Sequence, residues 1–133
     1  MTKLRVEPFE DIGDPAILLN ADRDGISLFL SAVRQAHASG EATFEFDGIT
    51  HHVARQEGAA DVEVGQQRVV WRFDDAVLIE MINLIDALVE SNRPSHQYVD
   101  LNSPVEVLVI SVDEYKRPLN YGEFSQLYLK PHP

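Results

Sequence analysis

The sequence predicts an α+β fold: one mainly antiparallel sheet with two α-helices packed on one face. Three observations predict it. Residues 74–92, DDAVLIEMINLIDALVESN, repeat apolar side chains at helical spacing, with Leu78, Met81, Ile82, Ile85, Leu88 and Val89 on one stripe. Asp47-Gly48 separates two alternating segments, ATFEF and ITHHV, and Asp-Gly is a preferred two-residue hairpin turn. Residues 105–112, VEVLVISV, form an almost unbroken β-branched run, the pattern of a strand buried on both faces and therefore central.

In chain order, Leu4 and Val6 alternate with polar neighbours, which suits a short edge strand, and Ala16–Asn20 reads as a buried strand after Pro15. A helix from about Arg23 to Ser39 follows, with Asp22 or Asp24 as N-cap and Gly40 where a left-handed C-terminal residue is wanted. Ile26, Phe29, Leu30, Val33 and His37 share its apolar stripe. In the Asp47-Gly48 hairpin Phe46 opposes Ile49, Glu45 opposes Thr50, Phe44 opposes His51 and Thr43 opposes His52. Phe44, Phe46, Ile49, His51 and Val53 then take the core face.

A second hairpin turns near Gly65-Gln66, with Val62, Val64, Val69, Trp71 and Phe73 inward and Glu63 opposite Arg68 on the outer face. Two hairpins in series predict a four-stranded meander. Asp74 and Asp75 open the second helix, and Asn92 with Arg93-Pro94 ends it. The expected order is strand, helix, four short strands, helix, strand. Residues 116–133 read as an extended C-terminal arm of a single domain spanning 1–133. No internal repeat stands out beyond the two hairpins.

At 133 residues the chain is long enough for one real core. It has no cysteine, which removes disulfides, thiolate metal sites and cysteine nucleophiles. The N-terminal acids do not match a signal peptide, and no apolar run is long enough to span a bilayer, so a cytoplasmic protein is the expectation. Twenty-two acids against eleven bases give a net charge of −11, spread along the chain. That balance argues against a nucleic-acid backbone as partner and suits a solvated surface or a basic protein partner.

Neither a GxxxxGK nor a GxGxxG phosphate loop is present, and there is no GxSxG elbow. His51-His52 is the one histidine cluster, and adjacent strand residues point to opposite faces, so one metal cannot easily take both. Asp22, Asp24 and Gly25 look like the start of a calcium loop, but no glutamate follows at the right offset.

The segments LLNADRDGISLFLSAV, HQYVDL and VLVISVDEY resemble a family of small immunity proteins of bacterial polymorphic-toxin systems. The matching places here are Asp24-Gly25, His96-Gln97-Tyr98 and Asp113-Glu114-Tyr115, and the resemblance touches about half the chain. It implies no enzyme activity, no cofactor, and a toxin partner bound through the surface. The expected function is therefore a non-enzymatic acidic binding protein, an immunity protein that neutralises a toxin by direct binding. Expected partner contacts are Glu41, Glu45, Asp47, His52 and Glu63 on the open sheet face and Tyr115, Tyr121 and Tyr128 on the arm. Two alternatives stay open: a structural subunit that forms a homodimer, and a small metal-binding protein or enzyme using His51, His52 or His96.

Overall fold

The computed structural model describes residues 2–11, 14–91, 93–102 and 105–114. Eight strands and two helices follow in the order β1 (Leu4–Asp11), β2 (Asp14–Ala21), α1 (Arg23–Ser39), β3 (Glu41–Phe46), β4 (Ile49–Arg55), β5 (Ala60–Val64), β6 (Arg68–Phe73), α2 (Asp75–Glu90), β7 (Ser95–Asp100) and β8 (Val107–Val112). The class is α+β, but the strands make two mixed sheets of four and not one antiparallel sheet. The first sheet has the order β1-β2-β8-β7 and the second β3-β4-β6-β5. In each sheet the two central strands run parallel, β2 beside β8 and β4 beside β6, while the outer pairs are antiparallel.

The meander expectation fails at one step. β4 and β5 are consecutive yet unpaired, because β6 lies between them. The side chains explain the order. β6 buries Val69, Trp71 and Phe73 and suits the centre, whereas β5 carries Asp61 and Glu63 and suits a solvated edge. β8 likewise lies between β2 and β7, as its unbroken apolar run requires.

The topology repeats. β1, β2, α1, β3 and β4 form one ββαββ unit, and β5, β6, α2, β7 and β8 form a second. Each sheet takes one hairpin from each unit, so a pseudo-twofold axis relates the sheets. The hydrogen bonds obey the same symmetry. Asp22 and Asp74 are the two N-caps, accepting from the backbone N–H of Gly25 and Val77. The Asp22 N–H donates to the Lys3 carbonyl and the Asp74 N–H to the Ala59 carbonyl. The Asp113 N–H donates to Ala21 and, in the equivalent place, the Gln56 N–H to Phe73.

The helices pack on each other across this axis, α1 against β3 and β4 and α2 against β7 and β8. Offset by the spacing of the two caps, Arg34 and Asp86 are equivalent residues, and they pair with each other at 2.7 Å. By the same offset the His37 to Asp75 contact (3.1 Å) and the Arg23 to Val89 carbonyl bond (3.2 Å) are mates. Ile26, Phe29, Val33 and Ala36 of α1 correspond to Leu78, Met81, Ile85 and Leu88 of α2, and all eight are buried.

One core joins both sheets and both helices, with Trp71, Phe29 and Phe73 as its largest buried side chains and Ile82 packed at its margin. Gly40 closes α1 at φ 102, and Ser91 caps α2. Gly25 is required by contact: a Cβ there would lie 1.9 Å from the Lys3 carbonyl oxygen, where the start of β1 crosses the first turn of α1. Among the described residues, no helix is long and apolar enough to cross a membrane.

Candidate functional site

Strand alternation turns Glu41, Thr43 and Glu45 of β3, Thr50, His52 and Ala54 of β4, Arg68, Val70 and Arg72 of β6, and Asp61 and Glu63 of β5 away from the helices. Most of this outer face of the second sheet is exposed or half-buried. The register sets three rows across it: Glu41–Ala54–Arg72–Asp61, Thr43–His52–Val70–Glu63, and Glu45–Thr50–Arg68. Acids occupy both edges and arginines the middle.

Arg72 binds both edge acids of β5, with Nη1 2.8 Å from Asp61 Oδ2 and Nη2 2.8 Å from Glu63 Oε1. These bonds, to Glu63 first and Asp61 second, raise the Arg72 pKa further above its ordinary value. His52 Nε2 lies 3.4 Å from Glu41 Oε1. Four acids (Glu41, Glu45, Asp61, Glu63) against two arginines (Arg68, Arg72) leave the face with two net negative charges when His52 is neutral.

The structure therefore brings Glu41, Glu45, His52 and Glu63 onto one surface. Asp47 stands apart at the tip of the β3–β4 hairpin, where Asp47 (φ 52) and Gly48 (φ 79) both adopt left-handed backbone and fix the register read from sequence. Glu63 opposes Val70 and not Arg68, and its ion pair is with Arg72. The turn spans Gly65–Arg68, two residues longer than expected, and is closed by the Gly65 N–H on the Arg68 carbonyl (2.7 Å). The slip is even, so each side chain keeps its face. Val64 is nonetheless exposed. Tyr115, Tyr121 and Tyr128 lie outside the described residues.

The three histidines of the metal or enzyme alternative occupy three different places. His51 faces inward, His52 outward, and His96 belongs to the other sheet. Among the described residues no cluster of three or more His, Asp and Glu could hold a metal.

His51 lies at the floor of a cleft of about 310 Å³ between the sheets, lined also by Leu4, Val6, Ile49, Val64 and Val69. It is only 2% exposed, stacks on Phe44 with ring centroids 4.7 Å apart, and accepts the Trp71 indole N–H at Nδ1 (3.2 Å). An indole nitrogen only donates, so Nδ1 carries no proton and the neutral ring holds it on Nε2. Burial lowers the His51 pKa from 6.5 to about 4. At neutral pH such a group is a weak base, which fits a packed core side chain better than a proton acceptor in catalysis.

The segments that carry the family resemblance meet on the first sheet. His96 Nδ1 lies 2.9 Å from Glu114 Oε2, the Ser111 hydroxyl donates to Glu114 Oε1, and Tyr98 Oη is 3.3 Å from His96 Nε2. Sequence reading placed neither this chain nor the Arg72 hub. A signal for the second was present, since Arg72 alternates with Trp71 and Phe73 and must face outward.

Compared with protein-family models, curated proteins and solved structures, the chain matches none.

Proposed function

We propose that this protein is a non-enzymatic binding module that takes a basic protein partner on the outer face of its second sheet, and that the partner is a bacterial toxin domain which it neutralises. The observation that carries the reading is the register: it sets Glu41, Glu45, His52 and Glu63 on one face, turned away from both α1 and α2. The face is rimmed by acids on a chain of net charge −11. A field of that sign attracts a cationic surface and speeds encounter, and like-charged proteins are kept away. Thr50 and the half-buried Arg72 add polar groups in the middle, and Thr43 adds a hydroxyl on the β3 edge. The resemblance of the His96 and Glu114 segments to immunity proteins supports the toxin half of the reading.

The experiment is co-expression with the product of the gene next to its own. The reading expects growth rescue and co-purification of the two chains. Growth arrest despite soluble expression, with no co-purification, would refute it.

Among the described residues β3 and β5 are the edges of the same sheet, which supports a homodimer as the alternative. Light scattering separates the two: a monomer at micromolar concentration removes the dimer.

A further inference from the structure

Among the described residues β1 is an edge of the first sheet, and along it run two clefts, of about 580 and 310 Å³, that share Leu4, Arg5 and Asp47. The Asp22 N–H donates to the Lys3 carbonyl, so Lys3 and Arg5 turn their backbone groups to β2, and Leu4 and Val6 turn theirs to the free edge. Ile49, His51, Val64 and Val69 form the opposite wall. Val64 shares the inward side of β5 with Val62, yet it is 41% exposed where Val62 is 6%, because it meets the cleft instead of packed side chains.

The pseudo-twofold axis shows what such an edge receives. Lys3 and Ala59 are mates, so Leu4 corresponds to Ala60. At Ala60 the edge of β5 is occupied: the Asn102 N–H donates to the Ala60 carbonyl (2.9 Å) and Asn102 Nδ2 to the Gly58 carbonyl (2.9 Å). Leu101, beside it, is buried in the shared core, and Val105 packs against that core. These residues belong to the connection 101–106 between β7 and β8. The corresponding β3–β4 connection is only Asp47-Gly48, too short to lay a segment along β1, so the Leu4 carbonyl has no such partner among the described residues.

We infer that this edge is a strand-addition site for a protein partner: an extended segment pairs with Leu4 and Val6, as Asn102 does with Ala60, and seats an apolar side chain between Val6 and the wall of Ile49, Val64 and Val69. Main-chain bonds supply the pairing, and the cleft selects the side chain. Charge selects the rest. Glu7, Asp22, Asp47 and Asp113 line the clefts against Lys3 and Arg5, four acids to two bases, so the segment carries Lys or Arg beside its apolar residue. The same field, on a chain of net charge −11, works against a second copy of this protein. The groove lies on the opposite side of the second sheet from the face proposed for the toxin, and the inference does not rest on that reading.

The test is selection of displayed short random peptides against the full chain, followed by amide NMR with the enriched peptide. The enriched sequences are expected to set Lys or Arg next to an aliphatic residue, to shift the amides of Leu4, Val6 and Val64, and to give backbone cross-peaks to Leu4 and Val6. Val64→Asp is expected to weaken binding on the order of tenfold, with the thermal midpoint kept because Val64 is already exposed. Glu41→Gln/Glu45→Gln/Glu63→Gln, on the outer face, is expected to bind the peptide as the wild type does. Failure to enrich any peptide over an unrelated protein, or shifts that leave Leu4 and Val6 in place, would overturn the inference, and so would loss of binding in the triple variant. Cross-peaks in the free protein from the Leu4 or Val6 amide to residues 115–133, or to a second copy in a mixture of differently labelled chains, would overturn it too, by showing the edge already filled.

Discussion

His51 makes the stability of this protein sensitive to mild acid. Its pKa is about 4 in the fold and 6.5 in the open chain, because burial against Phe44 and Trp71 penalises the imidazolium. Between these values the unfolded chain binds the proton and the folded one does not. The contribution is therefore complete above pH 6.5, falls as pH drops towards 4, and is constant below. At ~1.36 kcal/mol per pH unit, His51 lowers the unfolding free energy by about 1.3 kcal/mol on going from pH 7.5 to 5.5. That interval stays above the isoelectric point near 4.7. Urea unfolding followed by the fluorescence of Trp71, the single tryptophan, measures it in the wild type and in His51→Gln. Other groups titrate in both proteins and cancel in the double difference. The variant is expected to be less stable at pH 7.5 and to lose about 1.3 kcal/mol less on acidification. Equal losses in the two proteins would refute the assignment of His51 as a buried neutral acceptor.

Further outcomes follow from single contacts. Asp22→Ala and Asp74→Ala each remove an N-cap acceptor and are expected to cost about 1 kcal/mol, a fall of roughly 3–5 °C in thermal midpoint. Gly25→Ala drives a Cβ against the Lys3 carbonyl and is expected to cost more than either cap, about 3 kcal/mol, read by urea unfolding. Arg34→Ala breaks an exposed pair on the pseudo-twofold axis and is expected to cost under ~1 kcal/mol. The double swap Arg34→Asp with Asp86→Arg should recover most of that loss, since the two sites are equivalent.

Local chemistry carried the parts of the fold that the sequence made legible. Asp22, Gly40 and Asp74 cap the helices where the sequence places them, and α2 closes at Ser91, one residue before the Asn92 read as its end. Asp47-Gly48 set the β3–β4 register residue by residue, and the VEVLVISV run belongs at the centre of its sheet. The division into two sheets was illegible because a turn fixes which strand folds back on which, and says nothing of the strand that arrives from elsewhere. Both parallel pairs, β2 with β8 and β4 with β6, join segments from different units. The duplication is hidden because the paired positions conserve burial and not identity: Phe29 stands where Met81 does, and Ala36 where Leu88 does. For the site, alternation alone placed Glu41, Glu45, His52 and Glu63 together. The Arg72 hub was lost to a turn read two residues short.

The proposed function rests on the acidic outer face of the second sheet meeting a cationic partner. Stopped-flow association with the purified product of the adjacent gene, for wild type and Glu41→Gln/Glu45→Gln/Glu63→Gln, tests it most directly. The association rate is expected to fall several-fold as salt rises and to be lower in the variant at low salt, with thermal unfolding of the free protein little changed. Equal rates for the two proteins, insensitive to salt, would contradict it.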